Sequence, residues 1–214
     1  MPRCSRAIFA RTPWSSDWPD GDKANCAARF ASAQTLPTKS RTREDTGRLN
    51  ASCVARTRCA PQKAHHDQHF LTDPHAVDRI ADLADVKGRQ VLEIGPGNGA
   101  LTRALLDRGA IVHAVELDGH LCEELADRFS AEIASGHLIV QHGDATRCDL
   151  PAFEMVVSNL PYSVSSKITF RLLDIGFKEA VLMYQSEFAD RMLAPAGTKD
   201  CGRLSIMVQT YATV

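Results

Sequence analysis

Apolar and polar positions follow two alternating periods from about Gln68 to the end of the chain. Short apolar runs typical of buried strands occupy residues 90–94, 110–115, 137–141, 153–158 and 179–184. Apolar residues at helical spacing fill the stretches between the strands. They predict helices that begin after Asp73-Pro74, that include Leu101 and Leu105, that cover 120–134 and 164–174, and that begin at Ser186. Asp73 and Pro74 predict an N-cap and a first helical position. Because strands and helices alternate with short connections, the pattern predicts an α/β fold, a parallel sheet covered on both faces.

The first part of the chain shows neither period. Residues 1–66 carry 12 Lys and Arg against 5 Asp and Glu, a net charge of +7, and residues 67–214 carry 13 against 21, a net charge of −8. We therefore predict two regions, a disordered basic leader at 1–66 and a folded domain at 67–214. Three interpretations of the leader stay open: a tail that contacts RNA phosphates, an organelle targeting segment, or a start codon placed too far upstream.

Composition and residue spacing exclude a membrane protein and a metal-binding protein. No apolar run approaches the roughly 20 residues that span a bilayer, so we expect no membrane segment. The cysteines and histidines, including Cys53, Cys59, His65 and His66, fit no common metal-binding spacing, and we expect no metal. Reduced thiols in a cytoplasmic protein follow as the default.

Candidate chemistry gathers where the predicted strands end. Gly95, Gly97 and Gly99 stand where the first strand of the domain becomes a helix, and glycines there let the backbone approach a ligand closely. The next strand ends in Glu116, the position of the acid that binds an adenosine ribose in a doubly wound sheet. Asp144 follows the third strand and could accept from an adenine amine. Taken singly, each could also be an ordinary turn or a strand-end carboxylate.

The fourth strand end is Asn159-Leu160-Pro161-Tyr162. The Asn side chain and a backbone carbonyl can accept from an exocyclic NH₂ group, Pro fixes the backbone, and Tyr offers a stacking face. A plain strand-terminating turn is the alternative for these four residues alone. Because all four strand ends face one crevice, we predict an adenosine-bearing cofactor beside a second planar amine.

Residues 68–214 resemble the catalytic domain of the ribosomal RNA adenine dimethyltransferases, most closely the archaeal and eukaryotic small-subunit branch. The resemblance rests on several motifs distributed along the domain. They are Gln68-His69-Phe70-Leu71, Glu93-Ile94-Gly95-Pro96-Gly97-Asn98-Gly99, Val115-Glu116-Leu117-Asp118, Gly143-Asp144-Ala145, Asn159-Leu160-Pro161-Tyr162, Gln185-Ser186-Glu187-Phe188-Ala189 with Arg191, and Gly202-Arg203-Leu204-Ser205. Asp67 departs from the family, which usually has Gly there, and Cys201 stands where an aromatic residue is common.

The resemblance implies a Rossmann-like sheet that uses S-adenosylmethionine as methyl donor. It implies that His69 and Leu71 line the cofactor pocket together with Gly95 and Gly97. Glu116 would hold the ribose and Asp144 the adenine amine of the cofactor. Asn159, which also borders the cofactor, would bind the target adenine with Leu160, Pro161 and Tyr162.

The implied activity is dimethylation of adenine N6 in small-subunit ribosomal RNA, by a cytoplasmic monomer that acts on the RNA or on a pre-ribosomal particle. Relative to the family, we expect a sheet that is incomplete at its C-terminal edge and lacks a helical RNA-binding domain. Residues 206–214 are apolar and read as an element that enters a core, which favours a truncated chain. The alternative function is a non-catalytic assembly or transcription factor that uses the same scaffold.

Overall fold

One six-stranded sheet organises the part of the chain that the computed structural model describes, residues 5–11 and 73–214. Its strands are β1 Ser5–Arg11, β2 Gln90–Ile94, β3 Ile111–Glu116, β4 Leu138–His142, β5 Met155–Asn159 and β6 Glu179–Gln185. They lie in the order β1-β6-β5-β2-β3-β4. Strands β2 to β6 pair in parallel and β1 pairs with β6 in antiparallel fashion, so the predicted parallel sheet is confirmed.

Helices follow the strands as the apolar periodicity predicts. They are α1 Pro74–Asp82, α2 Ala100–Asp107, α3 Gly119–Arg128, α4 Ser130–Ala134, α5 Ser165–Ile175, α6 Ser186–Met192 and α7 Arg203–Tyr211. Asp73 caps α1 by accepting from the backbone N–H of His75 at 3.0 Å, which confirms the predicted helix start. Among the described helices, none is both long and apolar enough to cross a membrane.

Alternate residues of each central strand enter different cores. Val91 packs on the face covered by α1, α2 and α3, whereas Leu92 and Ile94 pack on the face covered by α5, α6 and α7. Helices therefore cover both faces, as a buried parallel sheet requires. Strand β2 has β3 on one side and β5 on the other, and this reversal of strand order opens a crevice at the carboxyl ends of β2 and β5.

Two sequence expectations need correction. Within the leader predicted as disordered, Ser5–Arg11 form β1, because seven residue pairs with β6 supply the hydrogen bonds that the segment cannot make alone. The single helix predicted over 120–134 is two helices, since Phe129 between α3 and α4 leaves helical geometry with φ of −111° and ψ of 28° and is fully buried. The remaining leader residues, 1–4 and 12–66, lie outside the described residues.

The C-terminal apolar stretch enters the core only in part. Leu204 and Val208 of α7 are buried against the sheet, but Ile206 is 60% exposed and Val214 is 44% exposed. Helical geometry explains the exposure of Ile206, because residues two apart point to different sides of a helix, and Val214 lies beyond the end of α7 at Tyr211. The expectation that 206–214 belongs to an element that enters the core is therefore confirmed for α7, through Val208 and the partly buried Met207 and Tyr211.

Candidate active site

A pocket opens at the carboxyl edge of the sheet, where the crevice lies. Of the predicted site residues in the described part of the chain, all but Gly99 line it, and a β-carbon on Gly99 would instead meet Leu125 and Phe129. The predicted residues that line it are Gly95, Gly97, Glu116, Asp144, Asn159, Leu160, Pro161 and Tyr162. His69 and Leu71 lie outside the described residues, so their placement stays a prediction.

The glycine turn after β2 forms one wall of the pocket. Gly95 and Gly97 have φ of 68° and 57°, in the left-handed region that side chains disfavour. A β-carbon on Gly95 would lie 3.5 Å from Cδ and Cγ of Pro161, so the turn and the Pro161 ring are in close contact. The turn thus exposes main chain rather than side chains to a ligand.

Glu116 ends β3 and is 2% exposed. Its Oε1 accepts from the backbone N–H groups of Leu117 at 2.8 Å and Asp118 at 3.0 Å. Its Oε2 accepts from the N–H of Gly97 at 3.1 Å, which ties the end of β3 to the glycine turn. Backbone donors therefore orient this carboxylate at the pocket wall, where it could accept from ligand hydroxyls.

Asp144 lies on the turn that follows β4. Thr146 donates to its Oδ1 from the backbone N–H at 2.8 Å and from Oγ1 at 2.7 Å, and Arg147 Nε lies 3.6 Å from its Oδ2. Burial by itself raises the pKa of Asp144, but the Thr146 hydrogen bonds and the charges of Arg147 and Lys167 outweigh it and lower the pKa. An ionised carboxylate is an acceptor only, as recognition of an amine requires.

The turn that carries Asp144 is held by Arg171 of α5. Its guanidinium donates from Nη1 to the carbonyl of Ala145 at 2.8 Å and from Nη2 to the carbonyl of Cys148. Arg171 was not among the predicted residues. Arg171 lies 26 residues from Ala145 and 23 residues from Cys148 in the sequence. Hydrophobic periodicity does not predict contacts between residues so far apart.

Asn159 is the last residue of β5, and α5 begins at Ser165. The buried Ser158 donates to the carbonyl of Ile94 at 2.6 Å and accepts from its N–H at 3.3 Å, which holds the ends of β5 and β2 together. Leu160 is 1% exposed and anchors the segment in the core, while Tyr162 is half-buried at the pocket. Asn159 and Tyr162 therefore share a cavity with the glycine turn and the two carboxylates.

Glu93 also lines the pocket, and the sequence motifs assigned it no role. It is 1% exposed, and its Oε2 accepts from Thr102 Oγ1 of α2 at 2.7 Å. Burial raises the pKa of Glu93 to about 8, against the lowering effect of the Thr102 hydrogen bond and with a further increase from the nearby Glu116 charge. The signal that could have identified it is its place two residues before Gly95, with its side chain on the α2 face of the strand.

Comparison with known proteins gives one consistent result. A family model described as ribosomal RNA adenine dimethylase matches residues 61–214. A curated protein of Methanospirillum hungatei, a probable ribosomal RNA small subunit methyltransferase A, is 66% identical over 150 residues, or 70% of this chain and 59% of that protein. The protein of the same name from Halobacterium salinarum is 54% identical over 149 residues, or 69% of this chain and 52% of that protein. The chain thus spans a little over half the length of these relatives.

Solved structures agree with the fold. A dimethyladenosine transferase from Plasmodium falciparum superimposes with a TM-score of 0.59 at 38% identity, covering 66% of this chain and 52% of that one. The 23S rRNA methyltransferase ErmE superimposes with a TM-score of 0.52 at 32% identity, covering 57% of this chain and 50% of that one. Both are methyltransferases.

The pocket fits S-adenosylmethionine, the methyl donor that the family uses. The left-handed glycines leave room beside the main chain, and Glu116 and Asp144 present carboxylate acceptors for ribose hydroxyls and an adenine amine. The same family is indicated by the sheet and the pocket, by the family match over residues 61–214, and by the archaeal relatives. This chain belongs to the ribosomal RNA adenine dimethylase family.

Proposed function

We propose that the chain carries the catalytic domain of a methyltransferase that dimethylates adenine N6 in small-subunit ribosomal RNA. One observation carries the proposal: Asn159-Leu160-Pro161-Tyr162 lines the same pocket as Gly95, Glu116 and Asp144. A base held by the first group lies beside a donor held by the second. The names of the curated relatives support the small subunit as the source of the RNA.

The chemistry assigned to these residues is acceptance of the adenine NH₂ group and support of its ring. When bound, S-adenosylmethionine supplies a methyl group on a positively charged sulfur. The adenine nitrogen is a poor nucleophile because its lone pair is delocalised into the ring. Carbonyl acceptors from Asn159 and Leu160 draw the NH₂ group towards tetrahedral geometry and free the lone pair for attack.

Pro161 and Tyr162 position the base. Pro161 restricts the backbone, and its carbonyl accepts from the N–H of Val164 at 3.2 Å and from Ser165 Oγ at 3.0 Å, which joins the motif to α5. Stacking on Tyr162 contributes about 1–3 kcal/mol to holding the ring. Access to the base requires unpaired RNA or an extruded nucleotide. We place this activity in the cytoplasm and assign it to a monomer.

Replacing Asn159 by Ala tests the proposal. We expect transfer of labelled methyl groups to small-subunit RNA to fall by about 10²-fold or more, because the amine loses its acceptor. Binding of S-adenosylmethionine, measured by calorimetry, is expected to be largely retained. Tyr162→Phe and Tyr162→Ala form a matched pair, of which only the second removes the stacking face.

The outcomes separate the candidate functions. Unchanged turnover in Asn159→Ala contradicts the role of the motif. Cofactor binding by the unaltered chain without transfer to any RNA indicates the non-catalytic assembly or transcription factor instead. Transfer to large-subunit RNA in preference to small-subunit RNA contradicts the proposed substrate while leaving the chemistry intact.

A further inference from the structure

The wall of the pocket carries the wrong charge for a nucleic acid. Four acids reach it, Glu93, Glu116, Asp118 and Asp144, and no Lys, Arg or His is among the lining residues. Residues 67–214 together carry a net charge of −8. Both charges repel phosphate groups, so an RNA strand that delivers a base to this pocket needs cations at the mouth.

Two exposed cations stand directly beside lining residues. Arg147 follows Thr146 on the turn after β4, and Lys167 precedes Ile168 in the first turn of α5. The charges of both cations act on the carboxylate of Asp144 and help to lower its pKa. Arg147 and Lys167 therefore lie near the same part of the rim, although 20 residues separate them in the sequence.

Neither cation is engaged by a strong partner in the described part of the chain. Arg147 Nε lies 3.6 Å from Asp144 Oδ2, and the Arg147 side chain is 66% exposed, so this ion pair contributes little. The exposed Lys167 side chain makes no hydrogen bond or ion pair with another described residue. Arg171 differs, because its guanidinium already donates to two carbonyls. The donors of Arg147 and Lys167 are thus available to a ligand.

We propose that Arg147 and Lys167 bind the backbone phosphates that adjoin the target adenine. This inference rests on the proposed function, because it assumes that an adenine of RNA enters the pocket. The sugar joins a base to a phosphate on each side, so the phosphates of an extruded nucleotide stay at the mouth while its base is inside. Paired N–H donors of Arg147 suit phosphate oxygens, and the ammonium group of Lys167 acts as a point charge.

An effect through Asp144 is the competing explanation. Arg147 and Lys167 would then serve only to keep this carboxylate ionised for the cofactor, and their removal would weaken cofactor binding without changing the affinity for RNA. Arg147→Gln and Lys167→Gln, made singly and together, separate the two explanations. Lys87→Gln is the matched control, because Lys87 is exposed and precedes β2 at the amino edge of the sheet, opposite the pocket.

The salt dependence of RNA binding counts the phosphate contacts. Fluorescence anisotropy measures the Kd of the full chain for a single-stranded RNA oligonucleotide with one central adenine. Each phosphate contact on a single strand contributes about 0.7 to the slope of log Kd against log salt, so we expect the double variant to lose about 1.4. Raising the salt from about 50 to about 200 mM then weakens wild-type binding about sevenfold more than binding by the double variant. Lys87→Gln is expected to keep the wild-type slope.

An altered RNA identifies which phosphates are bound. In this oligonucleotide the two phosphates that adjoin the central adenine are replaced by uncharged methylphosphonates. We expect the wild-type chain to bind it more weakly than the unaltered RNA, and the double variant to bind both equally, because each change removes the same contacts. In transfer assays we expect the KM for RNA to rise in the double variant with kcat nearly unchanged, since the contacts exist before and during methyl transfer.

The outcomes distinguish this inference from the proposed function. Equal salt slopes in the wild-type chain and the double variant, with methyl transfer by the wild-type chain intact, overturn the inference alone. Weaker binding of S-adenosylmethionine with an unchanged salt slope assigns both cations to Asp144 and also overturns the inference. Absence of RNA binding and of transfer in the wild-type chain overturns the proposed function, and the inference with it.

Discussion

Gly99, the last glycine of the turn after β2, packs directly against α3 and Phe129. It has φ of 76°, and a β-carbon there would lie 2.7 Å from both Leu125 Cδ2 and Phe129 Cε2. Leu125 belongs to α3, and Phe129 is the residue that separates α3 from α4. The turn after β2 is therefore packed directly against the helix that follows Glu116, with no space for any side chain.

Gly99→Ala is expected to be more destabilising than Gly136→Ala. Both positions are left-handed, with φ of 76° and 78°, which costs Ala about 1–2 kcal/mol. Only Gly99 adds overpacking, about 1–3 kcal/mol, since nothing lies within 4 Å of a β-carbon on Gly136. Urea unfolding of both variants measures the difference. Equal losses in the free energy of unfolding contradict the packing argument.

Glu116→Gln tests the carboxylate at the end of β3. Its oxygens accept from three backbone N–H groups, and an amide replaces one acceptor by a donor. Hydrogen bonds to a charged group contribute about 1.5–3 kcal/mol, so we expect S-adenosylmethionine to bind about tenfold or more weakly. Calorimetry measures the affinity, with Glu124→Gln on the exposed surface of α3 as control. Wild-type affinity in Glu116→Gln contradicts the assignment of this residue to the cofactor.

At the scale of elements, the link between α5 and the turn after β4 connects the two halves of the site. Helix α5 begins at Ser165, separated by two residues from the Asn159-Leu160-Pro161-Tyr162 motif, and Arg171 in its second turn donates to the carbonyls of Ala145 and Cys148. The turn that carries Asp144 is thus attached to the helix that follows the base-binding motif. A displacement of one element reaches the other through these two hydrogen bonds.

Arg171→Met is expected to weaken cofactor binding, because the Asp144 turn loses both donors while the apolar stem is kept. Arg171→Lys supplies one charged donor and is expected to restore part of the affinity. Arg203→Met is the matched control, since Arg203 begins α7 and lies over the Phe170 ring at 5.1 Å. Cofactor affinity and thermal stability are measured together. A loss of stability with unchanged affinity assigns Arg171 a structural role only.

At the scale of the whole molecule, the strand from the leader and the pocket occupy different parts of the sheet. Strand β1 pairs with β6 along Ser5–Arg11, and Ala10 is buried in the core beside α5 and α7. No residue of β1 or β6 is among those that line the pocket. A change at the β1 edge of the sheet is therefore expected to affect stability without affecting the pocket.

Deleting residues 1–12 is expected to lower the free energy of unfolding and to promote aggregation, because β6 becomes an unpaired edge strand. The affinity for S-adenosylmethionine is expected to stay unchanged. Urea unfolding, light scattering and calorimetry on the same preparation measure the three quantities. A deletion variant as stable and as monodisperse as the full chain contradicts a role for β1 in the sheet.

The sequence alone predicts most helices and strands of the domain. It also predicts that the site residues lie together. Hydrophobic periodicity is a local property, and parallel strands bring their carboxyl ends to one edge, so Glu116, Asp144 and Asn159 were expected in one crevice. Contacts between distant residues decided the rest. Phe129 interrupts a predicted helix because it is buried beside Gly99, and Glu93 becomes a neutral acid because the fold encloses it near Glu116. Burial, hydrogen bonding and pKa depend on neighbours that only the folded chain brings together.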